Sequence, residues 1–118
     1  MFSQVFGADI HGIEARIIQI EADISDGLPV FSMVGYLSSA VREAKERVCV
    51  AIRNMGIKFP AKRITVNLSP ADLRKEGTTF DLPIALSLLA AFGHIPGEQM
   101  SRFLFIGELG LDGKIHSV

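Results

Sequence analysis

Residues 67–92 read NLSPADLRKEGTTFDLPIALSLLAAF, and the fold turns on how this stretch changes character twice. Around its start, Ile64, Val66 and Leu68 alternate with Thr65, Asn67 and Ser69, the period-two pattern of a half-buried strand. Pro70 ends that strand because it offers no N–H to a ladder. A polar, charged loop follows. From Leu82 to Phe92 only Ser87 and the ring of Pro83 interrupt an aliphatic run, which predicts a helix apolar on nearly every side. Such a helix has to lie beneath other elements, so it is expected at the centre of the core. Thr79 or Asp81 can cap its start, Pro83 is tolerated in its first turn, and Gly93 suits a left-handed exit. The loop before it, with Glu76, Gly77, Thr78 and Thr79, is the place where a site is expected.

Upstream of this unit, Ser38 or Ser39 is the N-cap of a first helix. Val41, Ala44, Val48, Ile52 and Met55 define its buried stripe, and Gly56 closes it. Arg42–Glu46 and Glu43–Arg47 are i,i+4 pairs on its flanks, each worth a few tenths of a kcal/mol. Cys49 sits at the stripe's edge and reads as a small hydrophobe. Residues 2–11 predict a first strand, with Phe2, Val5 and Phe6 as core contacts. After a turn at Gly12, the stretch from Ile13 to Ser25 presents Ile13, Ala15 and Ile17 on one face and Ile18, Ile20, Ala22 and Ile24 on the other. Both faces are core only with strong twist or a bulge near Ile17, so one of the two is expected inside. Ser25-Asp26-Gly27 is a turn signal and Pro29 opens a strand from Val30 to Val34, which suggests an antiparallel meander of three strands.

Downstream, His94 to Gly97 is a loop and Phe103 to Ile106 is a continuous apolar run typical of a buried strand. Asp112-Gly113 marks a hairpin turn, with Ile115 to Val118 returning. The last strand has no polar tail, which suggests a piece of a longer protein.

The 118 residues, 48 % of them hydrophobic, suit one domain burying roughly two thirds of its unfolded surface. The longest apolar run, Leu82 to Phe92, is too short to span a bilayer, so no membrane partner is expected. No signal peptide is expected, since no basic stretch precedes a hydrophobic one. The lone Cys49 excludes an internal disulfide framework and suits a reducing cytoplasm. Charge is unevenly spread. Residues 1–30 carry Asp9, Glu14, Glu21, Asp23 and Asp26 against Arg16 alone, whereas residues 58–76 carry Lys58, Lys62, Arg63, Arg74 and Lys75 against Asp72 and Glu76. That second group reads either as an ordinary solvated surface or as a basic rim around the loop, meeting phosphates or an acidic partner.

The run RITVNLSPADLRKEGTTFDLPIAL, followed by FIGELGLDGKIHSV, resembles the N-terminal domain of the bacterial Mg-chelatase-like AAA+ ATPases, the ComM or YifB family. The resemblance extends from near Phe6 to Val118, and residues 1–118 are taken as a single such domain. More distantly, KEGTTFD and IGELGLDGKI look like the active-site region of the Lon protease domain. The resemblance implies an α/β (α+β) two-layer fold shared with the second domain of small-subunit ribosomal protein five. It has a sheet of about five or six strands with two main helices on one face, in the order β-β-β-α-β-α-β-β. It also implies a left-handed βαβ crossover, against the general rule. In full-length relatives, it implies an adjoining AAA+ motor that uses ATP and Mg, assembles as a homo-oligomeric ring and acts on DNA in natural transformation and branch migration.

Within the segment itself no cofactor or metal is expected. His11, His94 and His116 lack paired ligand spacing, and Glu21 and Asp23 two apart on a strand suit a wet surface. Glu76-Gly77-Thr78-Thr79 lacks the lysine and upstream glycine of a nucleotide-binding loop. A phosphate at the helix start would be opposed by Asp81. Aligned to Lon, Thr79 stands where the nucleophilic serine is, while the partner lysine falls just beyond Val118. Replacing it with Lys75 would require a neutral amine at pH 7, costing about 4.6 kcal/mol for a lysine of ordinary pKa about 10.4. Only deep burial lowers that, and a loop rich in Arg, Lys and Glu is not expected to provide it. The expected role is thus non-catalytic, with Lys62, Arg63, Arg74 and Lys75 as contacts for phosphates of DNA or for a partner such as the AAA+ domain. Such DNA binding would be weak, salt-sensitive and blind to base sequence. The alternative is a degenerate or truncated Lon-like Ser/Thr–Lys hydrolase.

Overall fold

The second apolar stripe of the long strand decides the inside. Ile18, Ile20 and Ala22 are buried with Ile24 beside them, while Ile13 and Ile17 face solvent. A computed structural model describes residues 1–11 and 13–117; the expected turn residue Gly12 and the last residue of the returning strand, Val118, lie outside the described residues. Strand β1 (Phe2–His11) pairs antiparallel with β2 (Glu14–Ser25) in continuous register from Phe2 opposite Asp23 to His11 opposite Glu14, with no bulge. Of the core contacts expected on β1, Val5 is fully buried, whereas Phe2 is on the exposed side.

The expected three-stranded meander does not form. Strand β3 (Phe31–Val34) runs parallel to β4 (Arg63–Ser69), and β4 lies between β3 and β2, so the sheet order is β3-β4-β2-β1-β5. The reason is length and burial. Strand β4 offers three inward aliphatics over seven residues, Ile64, Val66 and Leu68, and takes the central place. The four-residue β3, preceded by Pro29, suits an edge. Parallel neighbours require a crossover, which the helices supply.

That crossover is split. Helix α1 (Ser39–Arg42) is capped by Ser38, whose Oγ accepts from the Val41 N–H at 3.3 Å. At Glu43 the backbone tightens, its carbonyl accepting from Glu46 N–H at 3.0 Å, and α2 (Ala44–Asn54) continues. Val41, Ala44, Val48 and Ile52 are buried as expected, while Met55 lies past the helix end and is half exposed. Helix α3 (Asp81–Ala91) packs on β1, β2 and α2, and all of its residues but Leu86 are buried. Gly7 on β1 lets it approach: a Cβ there would stand 2.9 Å from the Pro83 ring.

The apolar run 103–106 is not a buried strand. Only Leu104 and Phe105 form β5, parallel to β1 at the sheet's edge, and Phe103 and Ile106 remain more than half exposed. Beyond it β6 (Glu108–Leu109) and β7 (Ile115–His116) form the expected hairpin, with Asp112 Oδ1 accepting from Lys114 N–H at 2.9 Å. The result is two layers, helices on one face of a mixed five-stranded sheet and the other face bare. No helix of the described residues is long and apolar enough to cross a membrane.

Candidate functional site

The loop from Pro70 to Phe80 is built inward. The Lys75 N–H donates to the Tyr36 carbonyl and the Lys75 carbonyl accepts from Ser38 N–H, both at 2.9 Å, so the loop is stitched beside Leu37 at the entry to α1. Its ammonium donates to the Pro70 carbonyl, and Lys75 has 0 % exposure. Lys75 therefore does not belong to a solvent-facing rim. Burial pushes its pKa down, with Asp72 and Asp9 opposing and Arg16 adding to the fall. The burial that the loop's composition did not promise is thus present, with the loop's backbone tied to Tyr36 and Ser38 on either side of the residue.

Beside it, on the helix face of the sheet, Arg16 grips Asp9 through two hydrogen bonds of 3.1 and 3.0 Å and reaches the Arg74 carbonyl at 3.4 Å. That carboxylate raises the Arg16 pKa, against the desolvation of the guanidinium. Arg74 itself is exposed and pairs with Glu76 at 3.2 Å. Gly77 takes φ +82° in an open turn.

Helix α3 is not capped by a threonine. Phe80 is its N-cap and makes no side-chain cap bond, while Thr78 contributes only its carbonyl, accepting from Asp81 N–H at 3.4 Å. Thr78 is exposed and Thr79 half-buried. Asp81 is the first helical residue and points to α2, where Arg47 donates Nε to Oδ2 at 2.6 Å and Nη2 to Oδ1 at 3.0 Å. The same Nη2 holds the Ala40 carbonyl at 2.8 Å, and Glu43 stands 3.7 Å away. Hydrogen bonding to Asp81 raises the Arg47 pKa despite partial burial. A carboxylate at a helix start is stabilised by the dipole, and here a guanidinium fork adds to that.

The four basic positions are not one patch. Lys62 and Arg63 stand at the start of β4 and Arg74 beyond its end, separated by a strand of roughly 20 Å. Lys62 meets Asp26 at 3.5 Å, both well exposed. What the structure adds at the β4 start is a cleft of about 250 Å3 lined by Lys58, Lys62, His94, Ile24, Pro60 and Phe92. Sequence spacing gave no sign of His94 there, because it arrives from the far end of α3 after Gly93 at φ +86°. Cys49 is half-buried, and its thiol is pushed up by burial. Among the described residues no three His, Cys, Asp or Glu side chains converge on a possible metal position.

The family described as the subunit ChlI of Mg-chelatase matches residues 20–118. Over 107 residues the chain is 47 % identical to the competence protein ComM of Haemophilus influenzae, 49 % to the protein YifB of Salmonella typhimurium and 47 % to YifB of Escherichia coli. Each match takes in 91 % of this chain and 21 % of the relative, so the chain spans about a fifth of the length of these curated relatives.

Proposed function

We propose that this chain, which belongs to the family of the Mg-chelatase subunit ChlI, is a non-catalytic accessory unit of a cytoplasmic ComM-type ATPase acting on DNA. It works by contact, touching DNA or the neighbouring parts of an oligomeric motor that binds ATP and Mg elsewhere. The observation that carries this is the inward use of the loop's ionic groups. Lys75 is held on the Pro70 carbonyl and Asp81 in the fork of Arg47. Each is engaged in holding the fold, and between them Thr78 is exposed and Thr79 half-buried. Of the basic positions, Lys62, Arg63 and Arg74 are exposed, and the first two stand together at the start of β4. DNA as the partner is drawn from the resemblance to the ComM family, whose Haemophilus member is named a competence protein.

Fluorescence anisotropy with single-stranded and branched DNA tests the reading. Weak binding that fades with added salt is expected, and Lys62→Glu/Arg63→Glu should weaken it further. Binding by that double variant as tight as the wild type's would remove the basic end from the contact.

A second reading, a Lon-like Ser/Thr–Lys hydrolase, is favoured by one feature: Lys75 is a desolvated amine with a lowered pKa, as a lysine base requires. Its ammonium, however, donates to a carbonyl rather than to Thr79. Casein cleavage that disappears in both Thr79→Ala and Lys75→Met would establish the hydrolase; cleavage indifferent to both would discard it.

A further inference from the structure

Lys58, Lys62 and His94 come from three places in the sequence and line one cleft, with no carboxylate among its lining residues. Lys58 and Lys62 flank the Phe59-Pro60 bend, whose Pro60 carbonyl accepts from Lys62 N–H at 2.9 Å and fixes their spacing. His94 is set by its own N–H, donating to the Leu89 carbonyl at 2.9 Å. Ile24, Pro60 and Phe92 add apolar surface to the same lining, and Phe92 is braced by Phe59, ring centroids 5.2 Å apart and edge-on. The cleft lies at the C-terminal end of α3, whose partial negative charge opposes an anion. The last carbonyls there are already taken, Leu88 by Phe92, Leu89 by His94 and Ala90 by Gly93. The pair between Lys62 and Asp26 is exposed and 3.5 Å long, so a ligand anion can replace it at little cost.

We infer that this cleft is a nucleotide-phosphate site, taking the phosphate on Lys58, Lys62 and His94 and the planar base or sugar against Ile24, Pro60 and Phe92. The inference rests on the reading of the chain as a DNA-contacting unit, and it moves the contact from the polar loop to the other end of β4. A lining that combines basic and apolar side chains suits a ligand that is anionic at one end and flat and weakly polar at the other. At about 250 Å3 the cleft is smaller than the roughly 300–1,000 Å3 of drug-sized sites and fits a single phosphate-bearing unit.

The test uses this chain with a fluorescein-labelled oligo-dT, with dTMP and with inorganic phosphate. Lys58→Gln should lower the slope of log affinity against log salt for oligo-dT by about 1. Lys114→Gln, in the β6–β7 hairpin, should leave it unchanged. In 1H–15N spectra, dTMP should shift the amides of Phe92 and His94, and inorganic phosphate should shift His94 without Phe92. If oligo-dT binds but Lys58→Gln and Lys114→Gln behave alike, the cleft is not the site and the DNA reading survives. If oligo-dT fails to bind while dTMP shifts Phe92 and His94, the DNA reading fails and the cleft stands as a free-nucleotide site. No binding and no shifts overturn both.

Discussion

Arg47, in the first turns of α2, closes a two-pronged hydrogen-bonded ion pair on Asp81, the first residue of α3, at 2.6 and 3.0 Å. Asp81 is almost wholly buried, whereas Arg47 keeps a partly exposed head. The pair fixes where the central helix begins and how the two helices meet above the sheet.

Removing the cation leaves a buried carboxylate without its partner. Breaking a fully buried pair costs about 3–5 kcal/mol; solvent at the Arg47 head reduces this to about 2–3 kcal/mol for Arg47→Ala. Arg47→Lys should recover less than half, because an ammonium cannot supply two parallel bonds and still reach the Ala40 carbonyl. Urea unfolding checks both, and a loss under 0.5 kcal/mol, roughly what an exposed pair contributes, would show the pair to be ornamental.

Lys75 carries a pH signature. Burial sets its folded-state pKa below 10.5. Between that value and 10.5 the unfolded chain binds more protons than the folded one, so stability rises with pH across the window. At lower pH both states hold the proton, and burying the charge costs a constant amount. The stability of wild type relative to Lys75→Met should therefore climb as pH approaches 10.5. A difference flat over the alkaline range would mean that the amine is hydrated in solution.

Helix α3 and strand β4 were legible because their patterns are local. An aliphatic run with a proline in its first turn, and an alternation of period two, need no knowledge of neighbours. The strand order was not legible, since β3 and β4 compete for one place beside β2 and the outcome depends on a helical crossover between them. Lys75 was misread as a rim contact, and the ion pair of Asp81 was missed, for a related reason. In a loop containing Asp72, Arg74, Glu76 and two threonines, charge suggests solvent. Their placement depends on partners that composition does not reveal: the Pro70 carbonyl for Lys75, and for Asp81 the guanidinium of Arg47, 34 residues away. The apolar run at 103–106 erred the other way: its composition signals burial, but it lies at the sheet's edge, where only Leu104 and Phe105 pair with Phe6 and Gly7.

The two faces of the sheet should answer mutation differently. Ile84 is fully buried against β1 and β2, so Ile84→Ala should cost about 2–5 kcal/mol through lost burial and the cavity left behind. Ile17 is 64 % exposed on the bare face, and Ile17→Thr keeps a β-branched side chain there. Its effect should stay within about 0.5 kcal/mol. Paired denaturation curves give the comparison. A large loss at Ile17 would require something covering that face in the isolated chain, and a concentration-dependent midpoint would identify it as a second copy.

Gly35 ends β3 at φ +137°, a backbone conformation that side chains rarely adopt, and a Cβ there would stand 2.7 Å from the Leu68 carbonyl oxygen. Backbone cannot yield as a flexible side chain can, so Gly35→Ala combines strain with a fixed clash. A loss of at least about 1–3 kcal/mol is expected. Gly77, at φ +82°, would point its Cβ into open space, so Gly77→Ala carries backbone strain alone, about 1–2 kcal/mol. The contrast separates the two contributions. The residues after Gly35 bridge to Lys75, so damage here should also free the buried ammonium. Gly35→Ala is therefore expected to weaken the alkaline rise in stability that Gly77→Ala leaves intact. Equal losses and equal pH profiles for the two variants would mean that the carbonyl of Leu68 sets no limit on the turn out of β3.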